Sequence, residues 1–116
     1  MLHHVSIEVH PDDVERMLEL WTAIGFEHTE APGPINPFVS WLEHEGTQVH
    51  LIHTEEPSVP LLGHAAVVAA PFEAIVARVR AAAFEVEEHR KLWGARRAFA
   101  TGPGGHKIEL MEFPPR

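Results

Sequence analysis

The chain has no cysteine and no tyrosine among its 116 residues. Without thiols there are no disulfides, thiolate metal sites or Cys nucleophile, and the composition suits a reducing cytoplasm, the expected location. Basic residues are scarce: nine Lys and Arg against 17 Asp and Glu give a net charge of −8. That balance argues against a nucleic-acid or anionic-membrane surface. No apolar run approaches the roughly 20 residues of a membrane span. The first residues lack the basic and apolar regions of a signal peptide. The length fits a single domain able to bury its own core. Histidine is plentiful, at ten residues. Ten imidazoles can simply be a surface that titrates near neutrality; a sharper role requires them at definite positions.

Leu2 to Val9 alternates strictly, with Val5, Ile7 and Val9 on one face and His4, Ser6 and Glu8 on the other. Pro11-Asp12-Asp13 is helix-start chemistry. Val14, Met17, Leu18, Trp21 and Ile24 follow as one helix stripe, closed by Gly25. Phe26 to Thr29 opens a second strand, and the Pro-rich 31–37 stretch is a loop or irregular edge. Phe38 to Glu43 and Gln48 to His53 are strands joined by a turn at His44-Glu45-Gly46-Thr47.

After a linker the order repeats. Residues 63–69 form a strand, and Phe72, Ile75, Val76, Val79, Ala82 and Ala83 a helix stripe. Ala83-Phe84-Glu85-Val86 echoes Gly25-Phe26-Glu27-His28. Strands over Arg96–Thr101 and His106–Phe113 flank a turn at Gly102-Pro103-Gly104-Gly105. His4 and His64, Phe26 and Phe84, and His50 and Glu109 are 60, 58 and 59 positions apart. The chain reads as one β-α-β-β-β plan written twice. The expected fold is α+β: module one over 1–56, a linker over about 55–62, and module two over 63–113, forming a curved, cup-like mixed sheet with helices outside. His4, His50, His64 and Glu109 all fall on the strand faces opposite the helix-covered ones.

Imidazoles and a carboxylate with open positions suit Zn, Ni, Co, Mn or Fe(II). The plain alternative is that His4 and His64 are half-buried polar residues and Glu109 a solvated strand carboxylate. A mid-strand Glu in the slot that His50 holds in the first copy weighs against it.

The paired modules resemble the vicinal oxygen chelate superfamily, which holds glyoxalase I, extradiol dioxygenases, fosfomycin and bleomycin resistance proteins, and methylmalonyl-CoA epimerase. The likeness rests on Leu2-His3-His4-Val5, Gly25-Phe26, Gly63-His64 and Gly104-Gly105-His106-Lys107-Ile108-Glu109-Leu110, and covers essentially the whole chain. It implies a divalent metal bound by His4, His50, His64 and Glu109, a small-molecule substrate that chelates the metal, and a homodimer. Several features depart from the branches of the family. Gly102-Pro103-Gly104-Gly105 stands where many members carry Asp-Pro-Asp/Glu-Gly, and His50 stands where glyoxalase-type members present a carboxylate or amide. Extradiol dioxygenases typically place a tyrosine beside the metal, and there is none here. The implied activity is of glyoxalase, lyase or isomerase type. The rivals are a metal-free bleomycin-resistance-type ligand binder and an Fe(II) dioxygenase.

Glu109 and Glu8 are the candidate proton-moving carboxylates, although Glu8 reads more readily as a solvated strand-end residue. Of Arg96 and Arg97 only one can face the cup, where it would hold an anionic substrate group; otherwise both are surface charges. Trp41 and Trp93 are candidate pocket walls, although tryptophan is more often simply packed. His53 is expected to be structural, and His106 to brace the turn or rim.

Overall fold

The computed structural model describes all residues, Met1–Arg116. The strands are β1 (His4–Val9), β2 (Glu27–Thr29), β3 (Val39–His44), β4 (Thr47–His53), β5 (Ala65–Val68), β6 (Glu85–Leu92), β7 (Ala95–Thr101) and β8 (Lys107–Met111). The helices are α1 (Val14–Ile24) and α2 (Phe72–Ala81). They build two four-stranded mixed sheets, ordered β1-β4-β3-β2 and β5-β8-β7-β6. In each, the first and last strands of a module pair in parallel and the remaining pairs are antiparallel. The architecture is two tandem βαβββ modules of an α+β protein, as the repeat predicts. No helix is long and apolar enough to cross a membrane.

Local chemistry accounts for the elements. Gly25 ends α1 at φ 129°, its N–H reaching the carbonyls of Trp21 and Thr22. The hairpin between β3 and β4 turns on Glu45 and Gly46, both at positive φ, a conformation suited to two-residue hairpin loops. β6 extends to Leu92, well beyond its sequence echo of the first module. Its Glu-Val-Glu-Glu-His-Arg-Lys-Leu sequence lacks apolar alternation because it is an exposed edge strand.

One apolar core unites both modules. Met17, Leu20 and Trp21 of α1 and Ile75, Val76 and Val79 of α2 join Val49, Leu51, Ile108 and Leu110 of the sheets, with Val5, Ile7, Ala65 and Val67 packed against them. The helices touch each other. Arg16 donates to the Ala83 carbonyl at 2.8 Å, and Arg78 to the Ala23 carbonyl at 2.9 Å. His106 donates from Nε2 to the Glu8 carbonyl at 2.7 Å and is buried, so it braces the junction between the modules rather than the turn or rim. Because the inward faces of β1 and β5 both meet this core, alternation turns His4, Ser6, Ala66 and Val68 away from it.

Candidate functional site

Register determines which side chains share the outer face of the second sheet. Glu109 on β8 pairs with Phe99 on β7 and Ala66 on β5; Phe99 pairs with Glu87, and Arg97 with His89, on β6. Glu109 is therefore central to its sheet, and 9% exposed. Its oxygens are divided: Oε1 lies 3.0 Å from His64 Nε2, and Oε2 2.9 Å from Arg97 Nε. Burial pushes the Glu109 carboxyl upward, but the bonds and charges of Arg97 and His64 outweigh it and hold the group below the usual carboxylate range.

His64 is oriented from behind. Its Nδ1 lies 2.9 Å from the Leu62 carbonyl, which can only accept, so Nδ1 carries a proton and Nε2 is the nitrogen aimed at Glu109. The Leu62 bond, followed by Glu109, raises the His64 pKa despite burial. A backbone carbonyl on one ring nitrogen with the other left to face a ligand is the way metal-binding histidines are oriented. Two donors of one ion, each about 2.1 Å from it at near-right angles, stand about 3 Å apart, the separation found between His64 Nε2 and Glu109 Oε1.

The first sheet carries the other histidines. His50 is stacked between His4, with ring centroids 4.1 Å apart and planes at 20°, and Trp41, at 4.3 Å and 5°. Gln48 Nε2 donates to Glu43 Oε1, which turns the amide oxygen toward His50 Nε2 at 2.8 Å. His50 is therefore protonated at Nε2. Burial, with His4 and His3 nearby, lowers its pKa and keeps the ring neutral near pH 7. His3 and His4 approach through their Nδ1 atoms at 2.9 Å.

Within one chain the structure brings His64 to Glu109, and His4 to His50, but does not unite the pairs: no three His, Cys, Asp or Glu side chains form a metal-holding group. A divalent ion of this class takes four to six ligands, so His64 and Glu109 fit it as half of a set. The stacked His4 and His50 rings have nearly parallel planes, and one must rotate before both meet one ion.

The remaining sequence candidates separate clearly. Arg97 faces the outer surface beside Glu109. Arg96 turns the opposite way, to Glu73 at 3.0 Å, to Glu88 at 2.7 Å and over the Phe72 ring. Glu8 accepts from the Ser58 N–H at 2.8 Å and ties down the linker. Trp41 joins the His50 stack, whereas Trp93 sits in the β6–β7 turn and donates to the Phe113 carbonyl at 2.9 Å. His53 is structural, 2.8 Å from Ser40 Oγ. Phe99, His89 and Lys107 were not legible as site residues. With Leu61, Leu62, His64, Glu87 and Thr101 they line a cavity of about 540 Å³. The signal for Phe99 is positional: it pairs with Glu109 as Trp41 pairs with His50.

The family model described as Glyoxalase/Bleomycin resistance protein/Dioxygenase superfamily matches residues 2–110. Solved structures share the fold. A glyoxalase family protein from Bacillus anthracis is 17% identical, with a TM-score of 0.83 over 96% of this chain and 93% of that one. The oxidase ChaP-H2 is 22% identical, with a TM-score of 0.75 over 99% and 94%. The fosfomycin resistance protein FosX from Mesorhizobium loti is 16% identical, with a TM-score of 0.74 over 98% and 92%. No curated protein matches in sequence.

Proposed function

The chain belongs to the Glyoxalase/Bleomycin resistance protein/Dioxygenase superfamily, and from that premise we propose a metal-dependent enzyme of glyoxalase, lyase or isomerase type acting on a small oxygenated metabolite. The observation that carries the reading is the His64–Glu109 pair, 3.0 Å apart, with the far nitrogen of His64 fixed on the Leu62 carbonyl. A divalent ion held there supplies Lewis acidity toward a substrate oxygen. His64 offers Nε2, and Glu109 offers Oε1 while Arg97 retains Oε2. A carboxyl held below its usual range is a weak proton acceptor, so Glu109 suits ligation better than general-base work.

A homodimer completes the ligand set: His64 and Glu109 of one copy meet His4 and His50 of the other. Supporting this, the two pairs occupy outer faces of separate sheets. Apolar side chains lie open near them: Ile52 is 37% exposed, Val68 53%, and Leu61 and Leu62 95% and 85%.

Elemental analysis of protein purified without chelators or a His-rich tag, beside His64→Ala and Glu109→Ala, tests the reading. The expected result is close to one ion per chain in the wild type, lost in both folded variants. A wild type that takes up none of Zn, Ni, Co, Mn or Fe(II) would sink it. The Trp41–His50–His4 stack favours the second reading, a metal-free ligand binder whose ring surfaces hold a flat guest. Activity restored only by ferrous iron, with oxygen consumed, would instead identify a dioxygenase.

A further inference from the structure

We propose that Arg97 is the anion-recognition residue of this face and that its ligand is a small organic acid, bound through a carboxylate. The inference deepens the reading of the Glu109 face as the ligand site and rests on it. Arg97 spends Nε on Glu109 Oε2, and no protein group accepts from its Nη1 or Nη2. The side chain is only 16% exposed, so a largely desolvated guanidinium keeps its outer edge without a protein acceptor. A guanidinium has five N–H donors in a planar fork, and the pair of Nη groups matches the two oxygens of a carboxylate.

The duplicated plan shows that this cation is an addition to the face. In the first sheet Trp41 pairs with His50, and two residues before Trp41 stands Val39; in the second Phe99 pairs with Glu109, and two residues before Phe99 stands Arg97. Only the second copy has a charge there. Its surroundings suit an acid with an apolar body. Phe99 forms a floor, with the His64 and His89 rings 5.0 and 4.7 Å from it. Lys107 adds a cation, and Glu87 a carboxylate, to the wall of the neighbouring cavity. Glu109 is the competing charge. It neutralises part of the guanidinium, so a carboxylate on the Nη edge binds against its repulsion.

The test uses the full chain, treated with chelator, and follows the Arg Nε–Hε and backbone amide NMR signals. Pyruvate is the probe, with neutral pyruvamide as its control. Pyruvate is expected to shift the Arg97 side chain and the β7–β8 amides saturably in the millimolar range, while pyruvamide at equal concentration does not. Arg97→Gln should weaken binding at least tenfold, and Arg97→Lys severalfold through loss of the fork. Arg96→Gln, on the opposite face, should leave it unchanged. Glu109→Gln removes the competing charge and should tighten binding severalfold, an effect that keeps the test decisive if Arg97→Gln does not fold. Equal binding of pyruvamide, binding unaltered in Arg97→Gln, no tightening in Glu109→Gln, or binding only with added metal would each overturn the proposal. The metal content of the wild type is measured separately, so failure here leaves the metal reading standing.

Discussion

Arg16 and Arg78 make the same contact in opposite directions. Arg16 on α1 reaches the Ala83 carbonyl just beyond α2, and Arg78 on α2 reaches the Ala23 carbonyl near the end of α1. The reciprocity ties the C-terminal end of each helix to the other helix, although the residues are not equivalents in the duplication, where Ala83 corresponds to Gly25. It joins helix to helix around a common core and leaves the histidine-bearing faces of the two sheets turned outward.

Removing either arginine should loosen that junction. Arg78→Ala is expected to cost about 0.5–1 kcal/mol because the residue is exposed, and Arg16→Ala about 1 kcal/mol, since Arg16 is half-buried and also lies over the Phe84 ring. Thermal unfolding at fixed protein concentration should show each Tm falling by about 2–5 °C. The two sites share no partner, so the double variant should show the sum. A double variant no worse than either single one would refute the reciprocal picture.

The helix ends differ in one respect. Gly25 closes α1 at φ 129°, but Ala83 holds the corresponding place after α2 at φ 65°, where a side chain is strained. A non-glycine residue there costs about 1–2 kcal/mol, and glycine's extra chain entropy returns about 0.5–1. Ala83→Gly should therefore raise stability by about 0.5–1 kcal/mol and keep the carbonyl that Arg16 uses. An unchanged or lower unfolding midpoint in denaturant would contradict this.

Much of the architecture was legible because periodicity and repetition are local signals. His4, His50, His64 and Glu109 could be assigned to outward faces by alternation alone, and matched helix stripes exposed the duplication. The relation between the faces was not legible. It depends on whether core faces meet across the helices or sheets lie edge to edge, and the sequence of either arrangement is equally alternating. Phe99 and His89 were missed for a related reason: their place beside His64 and Glu109 depends on the β6–β7–β8 register, whereas alternation within β8 already sets Lys107 on the Glu109 face. Arg97 and Arg96 show the boundary well. Alternation required them to part, but only the register beside Glu109 decides which one faces the site.

The His64–Glu109 pair also predicts a pH window. The His64 pKa is raised above 6.5 in the fold, so its contribution to stability is full below 6.5 and lost as pH rises through the folded midpoint. The Glu109 pKa is lowered below 4.5, so its contribution is present above 4.5 and lost as pH falls through the folded midpoint. Both act together between those values. His50, lowered below 6.5, opposes them as its unfolded form takes up a proton on acidification. In chelator-treated protein the His64 imidazole should titrate above 6.5 by NMR. Glu109→Gln should bring that midpoint down only in part, because the Leu62 carbonyl remains. A wild-type midpoint at or below 6.5 would count against the pair.

The strongest separation between a site shared by two copies and one built within a chain comes from mixing two defective variants. His4→Ala/His50→Ala destroys the first-sheet pair, and His64→Ala/Glu109→Ala destroys the second-sheet pair. Each homodimer then lacks half of every ligand set and should hold no metal, whichever arrangement is true. After unfolding and refolding together, about half of the dimers are mixed. If sites are shared, each mixed dimer has one site with both halves defective and one with both intact. The mixture should therefore regain about one quarter of the wild-type metal, with the bound metal running in the dimer fraction on size exclusion. If each site is built within one chain, every site in the mixture keeps a broken half and no metal returns. Refolded wild type, carried through in parallel, sets the full value. Recovery near one quarter supports the shared site; recovery at the level of the separate variants overturns it.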